Sequence, residues 1–168
     1  MKKLIIINTW GKMTDTMFIQ ASSLIKGYFD AGLMVHQTPE DLKEIAQRGD
    51  LVLALLNNQV IACGGITQHY PDNSKEFGAW AVESQYQNSH IGKTILMHSI
   101  QKYTQSFVFS VANEVSAKIF QHLGATLMSE DDMHEAVFIP CATCNCPGKE
   151  NTERKCVDTF HDLRTIQL

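Results

Sequence analysis

Residues Tyr86 to Leu96, read Tyr-Gln-Asn-Ser-His-Ile-Gly-Lys-Thr-Ile-Leu, carry the most explicit chemistry in the chain. They follow an apolar run, Phe77 and Ala79 to Val82, that reads as a strand. They lead into a segment with Ile91, Ile95, Leu96 and Ile100 at helical spacing. A strand that ends in a short polar turn and opens directly into a helix presents a row of unpaired backbone N–H groups. Those donors and the positive end of the helix dipole bind phosphate without a basic side chain. A second group of reactive residues lies near the other end of the chain, as Cys141-x2-Cys144-x-Cys146-x9-Cys156. Clustered thiols in a reducing compartment read as metal ligands or redox groups before structural disulfides. Four thiolates suit tetrahedral zinc, with His161 as a substitute ligand, although the spacing differs from paired Cys-x2-Cys motifs. Free thiols, a disulfide or an iron–sulfur site are the alternatives. Cys63, in Ala62-Cys-Gly-Gly, reads as a small buried residue.

The elements that must position these groups follow from apolar periodicity. Leu4 to Asn8 is a short apolar run, expected to be a strand buried on both faces rather than the core of a secretion signal. Met17, Ala21, Leu24, Ile25 and Tyr28 predict a helix over about 16–29, ended by Gly32. Thr38-Pro39-Glu40-Asp41 has the form of a helix start, with Thr as cap, Pro first and acids in the first turn. That helix runs to about Arg48, and Gly49 stops it. Leu51 to Leu56 and Val60 to Thr67 read as strands joined at Asn57-Asn58-Gln59. Pro71-Asp72-Asn73 turns the chain into a third strand, Glu76 to Val82. Phe107 to Val111 is a further strand. Ala125 to Met128 and Glu135 to Ile139 are expected to close the sheet as a final pair.

Between those strands stands Asn113-Glu-Val-Ser-Ala-Lys-Ile-Phe-Gln-His-Leu-Gly124-Ala125, with Asn113 suited to cap a helix and Gly124 to end it in a left-handed conformation. The two motifs together resemble the GNAT superfamily of acyl-CoA-dependent N-acyltransferases. The first resembles the family's Gln/Arg-x-x-Gly-x-Gly/Ala pyrophosphate loop, with Gln87 and Gly92 in place and His90 where the middle glycine stands. The second resembles its Asn-x-x-Ala-x-x-x-Tyr-x-x-x-Gly helix, with Ser116 and Phe120 replacing Ala and Tyr. The implied fold is α/β (α+β): a mixed, mostly antiparallel central sheet flanked by helices, spanning residues 1–140. Residues 141–168 would form a short Cys-rich C-terminal appendage.

The resemblance implies acetyl-CoA as cosubstrate. Gln87, Asn88, Ser89, His90, Ile91, Gly92 and Lys93 would hold the pyrophosphate, and the backbone of Ala81 and Val82 would pair with the pantetheine. Asn113 and Phe120 would lie along the cofactor. Transfer to an amine needs a base for the amine proton and donors for the thioester oxygen. Glu76 is the candidate base, with a solvated strand-end carboxylate as the alternative, and the Val82 N–H is the candidate oxyanion donor. Phe120 cannot protonate the departing thiolate as a Tyr could. Lys93 is either a phosphate contact or a solvated surface lysine.

The runs Leu24 to Leu42, Asp50 to Ala54, Val60 to Gly65 and Glu76 to Val82 are similar to the amino-acid N-acetyltransferase branch, which includes N-acetylglutamate synthase-type domains. Members of that branch commonly carry Phe at the position of Phe120. They usually place Arg where this chain has Gln37 and near Ala112, suited to a carboxylate; both are absent, so the acceptor stays open, with His36 a candidate to line its side. The expected function is acetyl transfer from the CoA thioester to a small amine, an amino acid or related metabolite. The alternative is a weak or inactive binding module with a metal-binding tail. A net charge of −4 predicts no nucleic-acid partner. No apolar run nears the ~20 residues that span a bilayer, so no membrane partner and a cytoplasmic location are expected, with a homodimer possible.

Overall fold

In the computed structural model, residues 3–138 and 159–166 are described. The centre of the sheet is the hairpin of β2 (Leu51–Leu56) and β3 (Gln59–His69). Asn57 and Asn58 turn it with φ of 53° and 64°, the left-handed pair that a tight two-residue hairpin requires and that Asn tolerates. β1 (Leu4–Ile7) pairs with β2, and β4 (Lys75–Val82) pairs with β3. β5 (Val108–Ala112) follows, then β7 (Thr159–Asp162), then β6 (Thr126–Met128) at the far edge. Among the described residues seven strands lie in the order β1-β2-β3-β4-β5-β7-β6, and only β4 and β5 run parallel.

Four helices cover the two faces. α1 (Asp15–Asp30) and α2 (Pro39–Gln47) bury Phe18, Ala21, Ile25, Leu42 and Ile45 against Leu51, Leu53 and Leu55. α3 (Ile91–Ile100) and α4 (Glu114–His122) cover the other face, where Ile91 and Ile95 meet Val52 and Ala54, and Leu96 and Phe120 meet Phe77. β2 is therefore buried on both faces, which is why it reads as an unbroken apolar run. α2 begins with a full capping box: the Asp41 N–H donates to Thr38 Oγ1 at 3.1 Å, and Asp41 Oδ2 accepts the Thr38 N–H at 2.8 Å.

Three expectations need correcting. β1 is an edge strand with Leu4 and Ile5 44% and 40% exposed, because it pairs with β2 alone; a short apolar run does not distinguish edge from centre. Glu135–Phe138 forms a 3-10 helix, not a strand, since the place beside β6 is taken by β7. The segment after residue 140 does not all lie outside the domain: Thr159–Asp162 inserts between β5 and β6. There Phe160 packs with Phe109 and Phe138.

Candidate active site

The sheet forks between β4 and β5. Their parallel pairing consists of Lys75 with Val108 and Glu76 with Phe109. Just beyond it Ser110 Oγ donates to the Phe77 carbonyl at 2.9 Å, and β4 continues to Val82 without a ladder to β5. The cause is local. Cys63 pairs with Ala81 and Gly65 with Gly78, so Ala79 and Trp80 together face Gly64, and Ala79 takes a φ of 51°. Such a bulge bends the strand and increases its twist, which turns the end of β4 away from β5. Gly64 is held to glycine here, because a Cβ would sit 2.7 Å from Ile95 Cγ2 of α3.

At the open end of β4 the Glu83 N–H bonds to Ile61 O on β3. By the alternation of an antiparallel ladder, the N–H and C=O of Val82 then point the other way, toward the fork. The Val82 carbonyl accepts from Tyr28 Oη of α1, and Gln87 Nε2 donates to the same hydroxyl at 2.7 Å. The Gln87 side chain thus ties the loop to β4.

The loop itself turns through Asn88 and His90, with φ of 61° and 63°, and Ser89 Oγ donates to the Tyr86 carbonyl. His90 is the N-cap of α3 but offers no side-chain acceptor. Among the described residues, no acceptor meets the N–H groups of Ile91, Gly92 and Lys93. Gly92 allows Trp80 to lie against the helix: Trp80 Nε1 donates to Gly92 O at 3.1 Å, and a Cβ there would be 3.2 Å from the indole.

At the closed end of the fork stands Glu76. Tyr70 Oη donates to Glu76 Oε2 at 2.5 Å. Burial pushes the Glu76 carboxyl above its usual range, and the Tyr70 bond, made to the ionised form, partly offsets that. A carboxylate raised in this way is a stronger base than an ordinary one.

The sequence-derived candidates separate into groups. Val82 and Gln87 to Lys93 come together around the end of β4. Ile91 is buried beneath α3, and Ala81 has its side chain in the α1/α2 core. Asn113 is committed to structure: its Oδ1 accepts the N–H groups of Val115 and Ser116, and its Nδ2 donates to the Leu33 carbonyl in the loop after α1. Phe120 is 1% exposed. It stacks on Trp80 with centroids 5.1 Å apart and meets His161 at 5.8 Å, so it supports Trp80 from the core instead of lining a cofactor. His36 packs on Phe29.

Val82 and Glu76 are far apart. At about 3.3 Å per residue, Val82 stands roughly 15–20 Å along β4 from Glu76. One tetrahedral centre cannot be served by both. Tyr28 and Tyr70 are neighbours of these candidates that the sequence reading did not single out. Tyr70 was the more accessible of the two, because the turn at Pro71 to Ser74 folds it back beside Glu76.

Cys141, Cys144, Cys146 and Cys156, the candidate zinc ligands, lie outside the described residues. Among the described residues no group of three or more His, Cys, Asp or Glu is placed to hold a metal. His161, the substitute ligand, is fully buried on β7 with Nε2 2.8 Å from Thr159 Oγ1. Cys63 is buried, and burial pushes its thiol up to about 12. No helix among the described residues is long and apolar enough to cross a membrane.

The family model described as "Acetyltransferase (GNAT) family" matches residues 20–125. No curated protein matches the chain. Among solved structures the chain is similar to N-acetylglutamate synthase from Neisseria gonorrhoeae complexed with coenzyme A and N-acetyl-glutamate. The TM-score is 0.75 at 17% identity, over 98% of this chain and 36% of that one. It is also similar to Rv2747 from Mycobacterium tuberculosis in complex with CoA (TM-score 0.68, 16% identity, 98% and 99% of the two chains). A third is an acetyltransferase of the GNAT family from Staphylococcus aureus Mu50 (TM-score 0.66, 14% identity, 96% and 99%). At these identities the likeness is one of fold. The chain spans about a third of the length of the gonococcal synthase chains it matches.

Proposed function

The chain belongs to the acetyltransferase (GNAT) family, and we propose that it transfers the acetyl group of acetyl-CoA to the amine of a small molecule, an amino acid or a related metabolite. The observation that carries this reading is the fork, with an uncapped helix N-terminus at its open end and the half-buried carboxylate of Glu76 at its closed end. The N–H groups of residues 88 to 93 would hold the CoA pyrophosphate. The Val82 N–H, turned into the fork, would pair with a pantetheine amide as an added strand does. Oxyanion stabilisation belongs nearer to Glu76, at the bulge of Ala79 and Trp80, where the backbone has left the ladder to β3. Glu76 would take the amine proton, directly or through water. With Phe120 in the core and unable to donate, the departing thiolate would take its proton from water. The amino-acid class of acceptor rests on the similarity of fold to the gonococcal synthase, solved with N-acetyl-glutamate.

The test is calorimetry with acetyl-CoA, followed by release of free CoA with the twenty L-amino acids as acceptors. Micromolar binding and CoA release with an amino acid support the reading. Absence of acetyl-CoA binding overturns it.

His90 provides a separate prediction. A left-handed non-glycine residue stores roughly 1–2 kcal/mol of strain, so His90→Gly is expected to leave the thermal midpoint unchanged or raised. Acetyl-CoA affinity should be equal or higher. A tenfold loss of affinity by calorimetry would instead assign the imidazole a phosphate contact.

A further inference from the structure

Tyr70 does more than fill space beside Glu76. The hairpin turn holds its backbone at both ends: the Tyr70 N–H donates to Ser74 O at 2.9 Å, and the Asn73 N–H to Tyr70 O at 3.0 Å. Its ring lies on Phe109 with centroids 5.7 Å apart, and Phe109 is the β5 residue paired with Glu76. Phe107 stacks on the same Phe109, while Met133 and Val137 close the cluster from the segment after β6. The hydroxyl therefore approaches the carboxylate from a fixed aromatic shelf.

Among the described residues, the neighbouring charged groups are turned to other partners. Lys75 Nζ is turned to Asn73 Oδ1 at 3.1 Å, and Asp72 bonds to Ser74 with His134 acting on it. His69 faces Asp50 across β3, and Arg164 lies over Phe107 and bonds to Asp162. Burial and the Tyr70 hydroxyl are the two influences on the Glu76 carboxyl.

We propose that Tyr70 is the positioning residue of the base: its hydroxyl fixes Glu76 Oε2 and leaves Oε1 for the acceptor amine or its water. This rests on the reading of Glu76 as base. Without the hydroxyl, the half-buried carboxylate loses the donor that favours its charge. Its protonation then moves to higher pH, and it loses a fixed orientation.

The test needs no acceptor. The full chain carrying ¹³C-carboxyl glutamate is titrated by NMR, with the Glu76 signal assigned by its loss in Glu76→Gln. In Tyr70→Phe the Glu76 signal is expected to titrate at higher pH than in the unsubstituted protein, with the other glutamates unmoved. Phe109→Leu, which keeps the hydroxyl but removes its shelf, is expected to move the signal the same way by less, and it serves should Tyr70→Phe not fold. A Glu76 titration unchanged or lowered in whichever variant folds overturns the inference.

Kinetics with the amino acid found in the acceptor screen add a second readout. Loss of one hydrogen bond to a charged group corresponds to about a tenfold fall in kcat on the acid side of the profile. That fall should shrink toward high pH, with KM for acetyl-CoA unchanged. A loss equal at every pH assigns Tyr70 a merely structural role. If Glu76→Gln retains turnover, the base reading fails whatever Tyr70 does. If Glu76→Gln is inactive and the titration stays in place, only the positioning inference fails.

Discussion

Glu76→Gln is expected to lower kcat/KM by about 10²–10⁴-fold, the usual contribution of a positioned general base, with acetyl-CoA binding unchanged. The amide keeps the shape and can still accept from Tyr70 Oη, but it cannot take a proton. The open end of the fork, where the CoA contacts are proposed, lies at the other end of β4. The two variables therefore separate, and a parallel loss of acetyl-CoA affinity would mean that Glu76 is structural.

The same substitution has a stability consequence of opposite sign. The native carboxyl of Glu76 is held above its usual range by burial, so the folded state binds this proton more tightly than the unfolded state. The stability that goes with it is full below the ordinary Glu value, about 4.3, and is lost as pH rises through the native value. A glutamine never ionises and never incurs that loss. At pH 8 the inactive variant should unfold at the same temperature as the unsubstituted protein or a higher one, measured by thermal denaturation. Activity here depends on a charge that the fold would be more stable without.

Local chemistry made much of the fold legible. Thr38-Pro39 with Asp41 announced α2, Asn57-Asn58 announced the central hairpin, and Asn113 with Gly124 bracketed α4. Each signal acts within a few residues: a cap on its own helix, or a turn between its own strands. β7 had no such signal. Thr159-Phe-His-Asp is too short and too polar to read as a strand, and it becomes one through pairing on both sides with β5 and β6, which lie far back in the chain.

The site divides the same way. The loop from Gln87 to Gly92 was legible because a strand–loop–helix junction is local. The Tyr28–Gln87 bond joins residues 59 positions apart, so no pattern could announce it. Asn113 and Phe120 were matched to the right helix, but whether a side chain faces ligand or core depends on its neighbours in space. For Phe120 those are Trp80 on β4 and His161 on β7.

Asp50→Ala is expected to cost about 3 kcal/mol in urea unfolding at pH 7, the lower end for breaking a buried ion pair. Asp50 follows α2 at the base of β2, and its side chain is fully buried. Oδ1 accepts from Lys102 Nζ at 2.7 Å and from Tyr103 Oη, at the end of α3. Oδ2 meets His69 Nε2 on β3 at 2.8 Å and Arg48 Nε after α2 at 3.3 Å. Its backbone carbonyl accepts the Ile66 N–H at 3.1 Å, and a Cβ on Gly65 would lie 2.2 Å from that oxygen. One carboxylate thus joins α2, β3 and α3 at the end of the sheet opposite the loop of residues 87 to 93. The outer faces of Lys102, Arg48 and His69 remain in water, which moderates the cost of stranding them.

Burial by itself would raise the Asp50 carboxyl, but the bonds from Lys102 and Tyr103 outweigh it and hold the group below its usual range. A depressed native value means that this stability is full above the ordinary Asp value, about 3.9, and is lost as pH falls through the native one. The gap between Asp50→Ala and the unsubstituted protein should therefore be widest at neutral pH and close as the solution is acidified through and below pH 4. A gap that stays constant would show that the substitution removes packing alone, and the charge network would then not be what joins these three elements.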